Sequence, residues 1–197
     1  MFRDDFIWGA ASSAYQIEGK DVSEGAGECI WDRFVREKGR IADGADADVS
    51  CDFIHKFKED ISLMKYMGIR HFRFSLNWSR IMPEGTGKIN ENAVRMYRDM
   101  IQYMKGKGIE PFITLFHWEY PQRLQEQGGW VSSLSPEWFQ EYAKAAAENF
   151  SDICEYFITI DEPQCFCNFG HVRGNHAPGY QLPLPLCKMF IKEIFEG

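Results

Sequence analysis

The sequence predicts an α/β fold built on a parallel sheet. Three observations lead there. Stripes of apolar residues at helical spacing alternate with short runs that read as strands, in the order strand, helix, strand, helix, strand, helix, strand. Glycines close two of the helical stripes, at Gly68 and Gly108. The polar and aromatic residues suited to chemistry gather just after the strands, at Gln16, Trp78, His117, Trp118 and Glu162. Strands separated by helices must be joined by crossovers that cover a sheet face, which makes them parallel.

The elements follow in order. Phe6 to Ala11 is a short apolar stretch read as the first strand. A Gly-rich and polar loop follows. Phe53, Phe57, Ile61, Met64 and Met67 then form the stripe of a helix over Asp52 to Met67, with charges between them. "RHFRFSL", Arg70 to Leu76, alternates polar and apolar as a strand does. Asn90 to Lys107 carries the second stripe, at Ala93, Tyr97, Met100, Ile101 and Met104, and "IEPFITLF", Ile109 to Phe116, is the next strand. "SPEWF" places Ser135 as an N-cap and Pro136 at the first helical position. Trp138, Tyr142, Ala146 and Phe150 line that helix, and "EYFITI" is the fourth strand. The remaining segment, "YQLPLPLCKMFIKEIFEG", reads as a Pro-interrupted loop and one short amphipathic turn.

Functional residues at the carboxyl ends of parallel strands suit a (β/α)8 barrel or a doubly wound sheet. No Gly-x-Gly-x-x-Gly or phosphate-loop pattern is present; Gly25 and Gly27 lack a third glycine. Only four units are visible, whereas a complete barrel takes about 250 residues. The expectation is therefore a (β/α)8 TIM-barrel type fold truncated to about its first four units. Residues 1–197 would form the N-terminal part of a single domain.

Bulk properties narrow the function. Of 197 residues, 45% are hydrophobic, 26% charged and 15% aromatic. That aromatic share suits a large core or a pocket with flat walls, such as those that stack on the apolar face of a pyranose ring. The formal net charge of -7 argues against nucleic acid and anionic membrane as partners. No apolar run reaches the roughly 18 residues of a membrane span. "MFRDDFIWGA" lacks a signal pattern, so a cytoplasmic location is expected. The six cysteines read as scattered buried thiols. Cys165 and Cys167 are too closely spaced for a zinc pair, and no metal or other cofactor is expected. The run Asp43 to Asp48 lacks the order of a calcium loop and reads as solvated.

"FITIDEP", Phe157 to Pro163, ends a strand in adjacent carboxylates, Asp161 and Glu162. With its context it resembles a known pattern. "FIWGAASSAYQIEG", "CDFIHKFKEDISLMKYMGIRHFRFSLNWSRIMPEG", "GIEPFITLFHWEYPQRL", "YFITIDEP" and "GHVRGNHAPG" are similar, in order, to segments of glycoside hydrolase family 1, the β-glucosidase type of retaining glycosidase. The resemblance runs from about Phe6 to Gly179. It implies hydrolysis of O-glycosidic bonds on a (β/α)8 barrel, with a β-glycoside or oligosaccharide as substrate.

The resemblance also implies roles. Glu162 matches the acid/base that protonates the leaving oxygen and later deprotonates water. Gln16, His117 and Trp118 match residues that bind the sugar, and Arg73 one that keeps the nucleophile ionised. Asp161 departs from the family's asparagine. A carboxylate only accepts hydrogen bonds, so the donor to the sugar 2-hydroxyl is lost and transition-state binding is expected to weaken. Trp31, Trp78 and Trp130 match family positions and are expected mainly in the core. Glu119 and Tyr120 replace the family's Asp and Leu, and Glu119 is expected to move a carboxylate by one methylene. The family's nucleophile lies on a seventh strand, outside this chain, so the chain alone is expected to be inactive. An open half-barrel exposes unpaired edges, and a homodimer or a complementary C-terminal half is the expected partner. The alternative is a non-catalytic carbohydrate-binding or interaction protein on a half-barrel scaffold.

Overall fold

The computed structural model describes residues 2, 3, 5–20 and 25–183. The helix-like turn expected after Tyr180 lies largely outside them. The elements run β1 (Ala10–Ala11), α1 (Ala14–Ile17), α2 (Ile30–Arg36), α3 (Phe53–Tyr66), β2 (His71–Ser75), α4 (Trp78–Ile81), α5 (Glu91–Gly106), β3 (Glu110–Phe116), α6 (Gln122–Gln125), α7 (Ser135–Phe150), β4 (Tyr156–Ile160) and α8 (Pro163–Cys165), with a π-helical stretch over Phe166–Val172. The four strands form one sheet in the order β1-β2-β3-β4, every neighbour parallel. Backbone bonds from Ser12 to Arg73, Leu76 to Thr114 and Asp161 to Phe116 carry the pairing to the carboxyl ends, where the chain turns toward the candidate site.

Side-chain parity explains which face carries chemistry. Phe72 and Phe74 of β2 are buried toward the helices, and Arg73 and Ser75 point to the other face. The long helices bury the predicted stripes. All five predicted residues of α5 are inaccessible, as are Tyr142, Ala146 and Phe150 of α7. Asn90 caps α5 by accepting from the Asn92 and Ala93 amides. Gly68 and Gly108 follow α3 and α5 with φ of 77° and 73°, the left-handed turn that glycine adopts without a Cβ clash.

Three expectations are corrected. The first strand is only Ala10–Ala11. Phe6, Ile7 and Trp8 are exposed, and Phe6 and Trp8 cluster with Phe2 rather than pairing with β2. Met67 is exposed because α3 ends one residue before it. Ser135 is the first helical residue of α7 rather than its cap, and Leu134 takes the cap position. The Ser135 hydroxyl donates to the Trp130 carbonyl at 3.3 Å instead. The edge strand β4 is the least buried of the longer strands, since among the described residues no strand flanks its outer side.

Candidate active site

At the carboxyl ends of the strands lies a cavity of about 620 Å³. All six sequence-predicted site residues, Gln16, Arg73, His117, Trp118, Asp161 and Glu162, line it. They arrive from four different segments. Gln16 comes from α1, directly after β1. Arg73 projects from inside β2. His117 and Trp118 follow β3, and Asp161 and Glu162 follow β4. Residues about a hundred positions apart thus meet because parallel strands end at one level.

Backbone conformation aims two of these side chains. Trp118 has φ 72° and Glu162 φ 43°, both in the left-handed region that bulky residues rarely occupy. Such strain persists where the surroundings hold it, and both residues border the cavity. The Trp118 indole N–H donates to the Asp161 carbonyl at 2.9 Å, tying the β3 and β4 loops together. Trp31 donates its indole N–H to the Trp118 carbonyl at 3.0 Å and forms part of the cavity wall. This corrects its expected place in the core. Trp78 and Trp130 are core residues, Trp78 stacking on Tyr142 with ring centroids 4.5 Å apart.

Asp161 is the electrostatic hub. Its Oδ1 accepts a close hydrogen bond from an Arg73 guanidinium nitrogen, and its Oδ2 lies 3.0 Å from His117 Nε2. Burial lowers the His117 pKa, while the Asp161 carboxylate pulls it back up. His117 is therefore the neutral tautomer with its Nε2 proton directed at Asp161. That proton faces the Asp161 carboxylate in this arrangement. Glu162 is exposed beside this network.

The structure adds residues that sequence reasoning missed. Tyr15 and His176 also border the cavity, with His176 packed edge-on against both Trp31 and Trp118. The signal for Tyr15 was its place beside Gln16, and for His176 the "GHVRGNHAPG" segment. Asp46, from the run read as solvated, stands at the rim and is exposed. A second polar cluster lies in the core beside β2 and β3. Glu18 accepts from Arg80 at 3.2 Å and from the Tyr97 hydroxyl at 2.6 Å. Glu119 is completely buried. Burial raises its pKa well above the ordinary carboxyl value, and the charge of Glu18 adds to the rise. Glu119 thus lies in the core, outside the cavity.

Among the described residues no group of three or more His, Cys, Asp or Glu is placed to hold a metal ion. No helix among them is long and apolar enough to cross a membrane.

Comparison with known proteins places this geometry. The profile of Glycosyl hydrolase family 1 matches residues 1–191. The chain is 47% identical over 178 residues to Beta-glucosidase A of Acetivibrio thermocellus, covering 90% of this chain and 40% of that protein. It is 47% identical over 180 residues to Beta-glucosidase 4 of Oryza sativa subsp. japonica, covering 90% and 37%. A solved structure of the beta-glucosidase from Thermotoga maritima in complex with castanospermine superposes with a TM-score of 0.94 at 38% identity, over 98% of this chain and 44% of that one. The chain therefore spans about 40% of the length of the curated relatives it matches. Its four parallel strands and their helices are the N-terminal part of a (β/α)8 barrel, and the chain belongs to glycosyl hydrolase family 1.

Proposed function

We propose that the cavity is the acid/base side of a retaining β-glycosidase site, with Glu162 as the proton donor and later the general base. The observation that carries this reading is the meeting of Gln16, Arg73, His117, Trp118 and Glu162 around one cavity of about 620 Å³, a volume suited to a sugar ring. Glu162 is exposed at the cavity and can exchange protons with a leaving group and with water. Gln16 offers one donor and one acceptor, the pattern that bridges vicinal hydroxyls. Trp118 and Trp31 supply flat walls.

Retaining chemistry needs a second carboxyl about 5–5.5 Å from the first. The family resemblance puts it on a later strand, so residues 1–197 act as the N-terminal part of one glycosidase domain. The partner that completes the site is then a C-terminal half, carried on the same polypeptide or supplied separately; a homodimer closing the sheet is the competing arrangement. The substrate is a β-glycoside or oligosaccharide, and the reaction needs no metal.

A second reading, a carbohydrate-binding protein without catalysis, is favoured by one observation. Asp161 engages both Arg73 and His117, two groups a glycosidase would turn toward nucleophile and substrate. Joining this chain to the C-terminal part of the Thermotoga maritima relative separates the two readings. Catalysis predicts hydrolysis of an alkyl β-glucoside that falls about 10²–10⁴-fold in Glu162→Gln. A folded, sugar-binding but inert chimera supports the second reading instead.

A further inference from the structure

The cavity is short of free cations. Among the described residues lining it, Asp46, Asp161 and Glu162 carry negative charge and Arg73 is the one lysine or arginine. His117 and His176 both have pKa values lowered by burial and are neutral at neutral pH. The nitrogen donors around the site are largely turned inward. An Arg73 nitrogen and His117 Nε2 face the Asp161 carboxylate, Trp118 Nε1 donates to the Asp161 carbonyl, and Trp31 Nε1 donates to the Trp118 carbonyl. The Ser50 hydroxyl at the rim is committed to the Gln16 carbonyl. The charged groups left to face a ligand are carboxylates, Asp161 with its remaining lone pairs and the exposed Glu162, beside the neutral amide of Gln16 and hydroxyl of Tyr15. A net negative pocket whose one guanidinium is already paired with Asp161 matches a ligand that brings its own charged donor.

We infer that the cavity selects a glycoside whose sugar carries a protonated amine, an amino sugar, over the corresponding neutral sugar, with Asp161 as the residue that sets the preference. The inference rests on the reading of the cavity as a sugar site. An ammonium group donates three hydrogen bonds and accepts none, so it meets a carboxylate where a hydroxyl would gain from an amide. Asp161 already holds Arg73 and His117 on its two oxygens, which fixes its position and leaves each oxygen a further lone pair. Glu162, the adjacent exposed carboxylate, adds to the same field.

The test measures binding of methyl β-D-glucosaminide, methyl β-D-glucoside and methyl N-acetyl-β-D-glucosaminide to the full 197-residue chain by titration calorimetry, below neutral pH so that the free amine is charged. The amino sugar is expected to bind on the order of five- to tenfold more tightly than the neutral glucoside at low salt, with the advantage shrinking as salt is raised. The N-acetylated glycoside, which has no charge, is expected to lose the advantage, and so is the amino sugar in Asp161→Asn. Equal or tighter binding of the neutral glucoside by the native chain overturns the amino-sugar inference and leaves the sugar site standing. An amino-sugar preference that survives both acetylation and high salt overturns it as well. Binding of none of the three glycosides overturns the underlying reading along with it. The acetylation and salt arms need only the native chain, so the inference stays testable should Asp161→Asn fail to fold.

Discussion

Arg80–Glu18 and Arg73–Asp161 are the same chemical pair in two settings. The first is sealed in the core, with side chains 1% and 3% exposed; the second opens on the cavity, at 28% and 16%. Around the buried pair every neighbour serves the scaffold. The Tyr97 hydroxyl donates to Glu18, the Tyr97 oxygen accepts from the Asn77 amide, and Arg80 also donates to the Gly19 carbonyl. These bonds pin the loops after β1 and β2 together. Around the open pair the neighbours are those expected of a ligand site, Gln16, His117, Trp118 and Glu162. Burial, rather than residue type, separates structural charge from functional charge. A desolvated pair is costly to break and has no access to substrate, whereas a half-exposed pair is cheap to rearrange and can exchange partners with a ligand.

The largest effect that can break this comparison is removal of one member of the buried pair. Arg80→Met strips the dry Glu18 carboxyl of its counter-charge, and is expected to lower stability by about 3–5 kcal/mol in urea unfolding. A loss no larger than that of an exposed pair would mean that the core cluster is solvated.

Glu119 sharpens the contrast through pH. Its folded pKa is raised by burial first and by Glu18 second. The unfolded chain titrates near the ordinary carboxyl value of about 4.3, so above that pH the unfolded state holds fewer protons than the native one. Stability is therefore fully present below the unfolded pKa and falls as pH rises toward the folded one. The pKa of Glu18 is raised as well, by burial, and adds to the same slope. Glu119→Gln keeps the shape and removes the titration. It is expected to flatten the decline and to be more stable than the native chain by about 1–3 kcal/mol at the alkaline end. Thermal melts across the pH range check this; an unchanged slope would place the titrating group elsewhere.

Asp161→Asn tests the open pair. Freed from the carboxylate, Arg73 and His117 turn to substrate, and the amide restores a donor. In the chimeric barrel kcat/KM toward a neutral aryl glucoside is expected to rise roughly tenfold, the equivalent of about one charge-assisted hydrogen bond. No gain would mean that Asp161 does not limit catalysis. The smallest expected effect is on stability, from Glu162→Gln. This exposed residue should change unfolding free energy by no more than about 0.5 kcal/mol. A larger loss would make Glu162 a structural acid.

Much of the scaffold was legible because its signals are local. The α5 stripe from Ala93 to Met104 is fully buried as its spacing requires, and Gly68 and Gly108 end helices where only a left-handed turn fits. The candidate site residues stood out through motif and position after the strands, and one cavity gathers all six. What stayed hidden depends on long-range packing. Nothing near Glu119 in sequence says that Glu18 and Arg80 lie beside it, so its burial was invisible. Asp161 could be read as a missing donor, but its capture of His117 Nε2 and Arg73 needs three strands in register. Trp31 went to the cavity wall because its partner, the Trp118 carbonyl, is 87 residues away. The extent of β1 was overread because apolar character in Phe6 to Trp8 does not by itself create a pairing partner.

The exposed carboxylate Glu162 is the proposed general acid. In the barrel completed with the Thermotoga maritima C-terminal part, kcat/KM is compared between native and Glu162→Gln for two β-glucosides, one with an activated aryl leaving group and one with an alkyl leaving group. An activated phenolate departs with little protonic help, and an alkoxide does not. A much larger loss is expected on the alkyl glucoside, on the order of 10²–10⁴-fold. Equal losses on both substrates, or no loss on the alkyl glucoside, would contradict it.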